Sequence, residues 1–311
     1  MKDYADRAYV HGRIHALMDG FPGRARYAEM YNAPNAPAAF AAIPGPSDET
    51  DISRIKEHLF RENIYPVIEL IEASAYYRPF LVSAIRLAEW HNLLLLAGRL
   101  DGIQSGDEWL DISPYDILPG NLNKTDITRD EILSTVHGTY LEGIFTQSQG
   151  SALDGTPDRF IRVFLDSCAV SARCLELYDR KIVNFFIAVV MTLVRMSDQY
   201  RYHEYYNTVR GEQDENSDSG KWNIFNIPAG EAEAAVKRSL KQTGKMDVLP
   251  YLNFLLAESM RIYRREWDSS GTVTAYLVRK FILIRNLFVI AEGFRFGLKG
   301  NEMAVMIVCE E

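Results

Sequence analysis

From Ile85 to Leu100 the chain reads I-R-L-A-E-W-H-N-L-L-L-L-A-G-R-L, an apolar helix pattern with one polar residue, Asn92, set into its buried face. Asn92 follows Glu89 by three positions and Ile85 by seven, spacings that put all three on one side of a helix. The construction recurs around Asn184 and Asn286, each time behind a long amphipathic segment. Pro22, Pro119 and Pro228 lie 97 and 109 residues apart, while Asn92, Asn184 and Asn286 lie 92 and 102 apart. Two markers that drift together predict an internal repeat with loop insertions, and the repeat is then the unit to be read.

Taken in order, the pattern predicts helices almost throughout. Residues 4–18 form a first helix stopped by Gly20-Phe21-Pro22-Gly23, with short pieces at Arg24–Tyr31 and Ala36–Ala42. Ser47 or Asp48 is expected to cap a long helix to about Ala73, whose Ile52, Ile55, Leu59, Ile64, Val67, Ile68 and Ile71 keep a helical period despite Pro66. Tyr76–Leu100 is the next helix. In the second unit, Leu118-Pro119-Gly120 is the connector, and Thr128 with Glu131 predicts a capping box opening a helix to about Phe145. Thr156 and Pro157 start a long helix whose Ile161, Leu165, Cys168, Ala172 and Leu175 step along one face; Lys181 to about Tyr205 carries Asn184. The third unit holds a polar loop, Gly211–Gly220, the connector Ile227-Pro228-Ala229-Gly230, and a short helix, Glu231–Gln242. Long helices at Asp247–Asp268 and Thr272–Leu298 follow, with a last short one at Glu302–Cys309. The β-prone run Thr272–Val278 continues into helical periodicity and is read as helix.

Composition narrows the classes. With 47% hydrophobic and 24% charged residues the chain sits near the globular average. A formal charge of -8 argues against a general nucleic-acid binder, which would show a basic stripe. Cys168, Cys174 and Cys309 have no metal-ligand spacing and fit a reducing compartment. The opening M-K-D-Y-A-D-R-A has charges where a signal peptide carries its apolar run, so no export is expected. The longest uncharged apolar stretch, Ile182–Val194, falls short of the roughly 20 residues of a membrane span. A soluble chain is expected.

Candidate chemistry is sparse. A buried asparagine must be hydrogen-bonded, so Asn92, Asn184 and Asn286 are either packing bonds to a neighbouring backbone or a shared ligand site. His11 and His15 have the i, i+4 spacing of a helical metal pair, but Gly12 stands where the zinc protease pattern requires glutamate. Asp214–Gly220 resembles the start of a calcium loop, with its glycine one position late and Phe225 at position twelve, so a solvated acidic loop is the plainer reading. Tyr200-Arg201-Tyr202-His203-Glu204-Tyr205-Tyr206 is either an interface anchor or a helix end packed under a loop. The chain has no P-loop, dinucleotide fingerprint, nucleophile elbow or paired CxxC.

The repeat resembles the C-type subunit of the prokaryotic V-type (A/V-type) ATPases, equivalent to the d-type subunit of the vacuolar enzyme. That family reads acidic-x-x-Asn-Leu with an arginine some seven residues on, matched by Glu89-Trp90-His91-Asn92-Leu93 and Arg99. Its last repeat is matched by Tyr276, Lys280, Ile284, Asn286, Leu287, Gly297 and Leu298. Tyr9-Val10-His11-Gly12-Arg13 is similar to its opening helix, and the connectors at Leu118 and Ile227 to its own. Lys181, Phe281 and Leu283 replace acidic positions. The resemblance implies an all-α chain of three similar helical lobes, 1–103, 104–210 and 211–311, in a pseudo-threefold arrangement forming a funnel-shaped socket. It further implies a non-catalytic rotor adaptor of a V-type ATPase or ATP synthase, with no catalytic, cofactor-binding or metal residues and no cofactor. Its implied partners are the central-shaft components of the ATPase head and the membrane proteolipid ring. The adaptor couples ATP hydrolysis or synthesis to proton or sodium transport, peripheral on the cytoplasmic face of the membrane. The alternatives are a helical-repeat protein-binding scaffold unrelated to an ATPase, and a helical enzyme using His11, His15 and a metal.

Overall fold

The computed structural model describes residues 2–43, 50–102, 109–124, 126–146, 156–184, 187 and 249–310. Among them the chain is helical and contains no strand: α1 Lys2–Met18, α2 Arg24–Tyr31, α3 Ala36–Phe40, α4 Ile52–Ala73, α5 Arg78–Ile85 and α6 Glu89–Leu100. They are followed by α7 Arg129–Val136, α8 Glu142–Thr146, α9 Thr156–Ser171, α10 Leu249–Arg265, α11 Ser270–Arg295 and α12 Gly300–Ala304. Residues 177–184 are helical as well. The all-α reading holds. The predicted loop Gly211–Gly220, the Tyr200–Tyr206 cluster, the third connector and the helix Glu231–Gln242 lie outside the described residues.

Side-chain caps open several of the helices. The cap of α4 is Asp51, whose carboxylate accepts from the Ser53 amide at 2.9 Å; the expected caps Ser47 and Asp48 lie outside the described residues. The helix continues through Pro66. Thr128 and Glu131 form the predicted capping box. The helix it opens was expected to reach Phe145, but it breaks after Val136 at Gly138, whose φ of 75° suits glycine far better than any side chain. Tyr76–Leu100 is likewise not one uniform helix. Tyr76 and Tyr77 belong to the turn before α5, and a tight 3-10 segment, Arg86–Ala88, joins α5 to α6. There Arg86 donates through Nε to the Tyr115 carbonyl at 2.9 Å. By length and composition Arg78–Leu100 could cross a membrane, yet 67% of its apolar window is buried inside the fold, the environment of a core helix.

The long helices interleave. α4 and α5 form one helical hairpin, α10 and α11 another, and α9 leads into helix 177–184. α5 of the first hairpin packs on α9, where Ser83 meets Ser171. α11 of the last hairpin packs back on α4, where Lys56 pairs with Glu292 at 2.7 Å and Lys280 donates to Asn63 at 3.1 Å. Helix α1 lies against both α4 and α11.

Three apolar cores follow from this packing. A central one joins Ile71, Leu81, Ala172, Val183, Val273 and Tyr276. The α5–α6 arm starts in it and ends in a second core, where Leu93 and Leu96 meet Ile132, Ile144, Phe160 and Leu165. α11 makes the same passage into a third core, where Leu287 and Ile290 meet Tyr27, Phe40, Leu59 and Met303. Gly293 makes the last contact possible, because a Cβ there would stand 2.3 Å from the Met303 sulfur.

Candidate functional site

Two of the three sequence-marked asparagines make the same bond. Asn92 and Asn286 are both 0% exposed. Asn92 Nδ2 donates to the Leu110 carbonyl at 2.7 Å, and its Oδ1 accepts from the Leu110 amide at 2.8 Å. Asn286 treats Val308 identically, at 2.6 and 3.2 Å. In each case a side-chain amide supplies the donor and acceptor that a strand neighbour would, and fastens an irregular segment to a helix flank. This corrects the predicted last helix, Glu302–Cys309. It stops at Ala304, and Val308 lies outside any helix with both backbone groups committed to Asn286.

The third asparagine departs from the pattern. Asn184 is exposed, so no buried site shared by three asparagines forms. The stretch that stands to Asn184 as Leu110 and Val308 stand to their clamps falls at residues 202–206, outside the described residues.

Glu89, on the same face as Asn92, is also buried, and its Oε1 accepts from the Ile117 and Leu118 amides, the latter at 2.8 Å. Burial pushes its pKa up to about 6, against the pull of those two amides. Glu89 and Asn92 together hold the connector 110–118 on α6. The corresponding position ahead of Asn286 is Leu283, which packs in the third core instead.

A polar knot that sequence reasoning missed lies where the hairpins meet. The turn before α5 and the first turns of helix 177–184 and α11 converge on Asp179, which is 1% exposed. Its carboxylate accepts from the Ser270 amide at 2.7 Å and the Tyr76 hydroxyl at 2.9 Å, while the Ser270 hydroxyl donates to the Asp179 carbonyl at 2.9 Å. The first-turn amides of a helix have no internal partner, so a buried carboxylate there satisfies a donor and meets the positive end of the helix dipole.

Helix α1 lays a ridge of Arg7, His11 and His15 against this knot. Arg7 pairs with Glu176 at 3.0 Å, reaches Asp179 at 3.5 Å, and sits 4.7 Å over the Tyr76 ring. His11 shares a hydrogen bond with the Tyr77 hydroxyl at 2.9 Å, and His15 with the Tyr263 hydroxyl at 2.6 Å. Burial, then the Arg7 charge, lowers the His11 pKa. One helix thus touches both hairpins and helix 177–184. The i, i+4 histidines face separate tyrosines, and among the described residues no group of three or more His, Cys, Asp or Glu could hold a metal ion. The one signal for the knot in the sequence is polar residues at the first turns of apolar helices (Asp179, Ser269, Ser270), which read equally well as ordinary caps.

Lys280, expected to match the resembled family's last repeat, stands half-buried with its ammonium on Asn63 and 5.2 Å from the Phe21 ring; burial lowers its pKa to about 8. Cys168 is buried, and burial raises its thiol pKa to about 12. No protein-family model and no curated protein sequence matches the chain.

Proposed function

We propose that the chain is a non-catalytic rotor adaptor of a V-type ATPase or ATP synthase. It links the central shaft of the ATPase head to the membrane proteolipid ring and couples ATP hydrolysis or synthesis to proton or sodium transport. In this reading the three helical stretches are similar lobes about a pseudo-threefold axis, and together they form a funnel-shaped socket.

One observation carries the reading: the second helix of one hairpin packs on the first helix of the next, α5 on α9 and α11 on α4. Contact from the last hairpin back to the first is what a closed ring of three units requires, whereas an open solenoid leaves its terminal repeats apart. The matching clamps of Asn92 on Leu110 and Asn286 on Val308 support a duplicated unit. A torque-bearing part must resist relative motion of its lobes, and the Asp179 knot with the α1 ridge ties all three together through buried polar bonds whose rupture is costly.

The test is reconstitution of the full chain with the central-shaft components and, separately, with the detergent-solubilised proteolipid ring, read by co-elution and by titration. Binding to both at micromolar concentration or tighter is expected. Failure to bind either refutes the adaptor reading.

A further inference from the structure

The knot buries its polar atoms but leaves an aromatic and cationic surface on the turns just outside it. Leu177 is 64% exposed, Tyr178 54% and Trp267 70%. They belong to one patch: Tyr178 is hydrogen-bonded to Glu266, and His15, fixed on the Trp267 carbonyl at 3.1 Å, stacks 4.3 Å from the Trp267 ring. Tyr4, 78% exposed, precedes Arg7 by one turn of α1, and Arg7 is the residue that pairs with Glu176.

Charge surrounds these side chains unevenly. Arg173, Lys181, Arg264 and Arg265 are all exposed on the same two turns. Of the carboxylates there, exposed Glu176 is paired with Arg7 and Glu266 with Arg265, and Asp268 is exposed as well. A cationic surplus at this end runs against a chain whose formal charge is -8.

We infer that this end, formed by the turns at 173–181 and 264–268 with Tyr4, is a membrane-interface face that seats on anionic lipid headgroups. Tryptophan and tyrosine carry an apolar ring with a polar tip, and with arginine and lysine they are the side chains that settle at the headgroup level of a bilayer. The surface is made of short turns at the ends of helices. A cavity of about 40 Å³, lined by Phe21, Tyr27 and Arg279 among others, lies elsewhere. Exposed aromatic rings with arginine and lysine beside them suit the headgroup region of a bilayer, which takes them up without a matching pocket. The inference stands apart from the rotor proposal, because pure lipid vesicles contain neither the ring nor the shaft.

The experiment is co-sedimentation of the full chain with vesicles of phosphatidylcholine, with and without phosphatidylglycerol, together with quenching of tryptophan fluorescence by brominated lipid. Binding to the phosphatidylglycerol vesicles alone is expected, falling as salt is raised. A variant carrying Arg264→Glu and Lys181→Glu, and a second carrying Trp267→Ser and Leu177→Ser, should each lose about tenfold or more of the partitioning. All four side chains are exposed, so unchanged unfolding curves will establish that the variants fold. No sedimentation with anionic vesicles overturns the proposal, as does equal binding to neutral ones. Protection of Trp267 by the proteolipid ring but not by lipid also overturns it and makes the patch a protein interface.

Discussion

Replacing Asn92, Asn184 and Asn286 by alanine separates a buried clamp from an exposed position. In Asn286→Ala the Val308 amide and carbonyl both lose their partner, at a residue that is 1% exposed. A buried backbone group left unpaired costs about 1–3 kcal/mol, so two of them cost about 2–6 before relaxation. The irregular segment can admit some water, and alanine returns about 0.5 kcal/mol through helix propensity. A net loss of about 2–4 kcal/mol remains. Asn92→Ala strips Leu110 in the same way and should fall in the same range. Asn184→Ala removes an exposed side chain from a helix, and its effect should stay within about 0.5 kcal/mol of zero, with stabilisation the favoured sign. Urea unfolding with unchanged m-values measures all three. Hydrogen exchange should show the Leu110 and Val308 amides losing protection in their own variants only. An Asn184→Ala cost equal to the other two, or an Asn286→Ala cost below about 0.5 kcal/mol, would refute the clamp.

The knot and the buried glutamate make separate predictions. Asp179→Ala should destabilise by about 3 kcal/mol, the low end for a broken buried ion pair, because Arg7 keeps Glu176 and some solvent. Asp179→Asn, whose oxygen can still accept from Ser270, should cost about half as much; an Asp179→Ala loss under about 1 kcal/mol would mean that the knot does not hold the helices together. Glu89 has a folded pKa of about 6 against an ordinary 4.5. The native state therefore holds the proton more tightly than the unfolded chain, and the stability from this group is complete below pH about 4.5 and lost as pH rises through about 6. The loss is about 2 kcal/mol, so the difference in stability between wild type and Glu89→Gln should drift by that amount across the window. Urea midpoints at a series of pH values check it, and a difference that does not vary with pH would contradict it.

The sequence alone settled the helical class, because apolar positions at steps of three and four specify a helix face wherever the face ends up. It also settled the Thr128–Glu131 capping box, which acts within one turn, whereas the cap of α4 falls on Asp51 and not on Ser47 or Asp48. It marked Asn92 and Asn286 as buried polar residues and left open what they bond. Tertiary structure decided the rest. The same motif is a clamp at Asn92 and an exposed position at Asn184, because burial depends on which segment lies alongside, and the local pattern carries no record of that. The last helix ends at Ala304 because Val308 pairs with a side chain 22 residues earlier, a bond that no local propensity encodes. The Asp179 knot was legible only as isolated caps, since its members Arg7, Tyr76, Asp179 and Ser270 come together from four distant stretches of chain. What periodicity cannot hold is the order in which helices pack. That order, α5 on α9 and α11 on α4, joins helices from distant parts of the chain into one packed body.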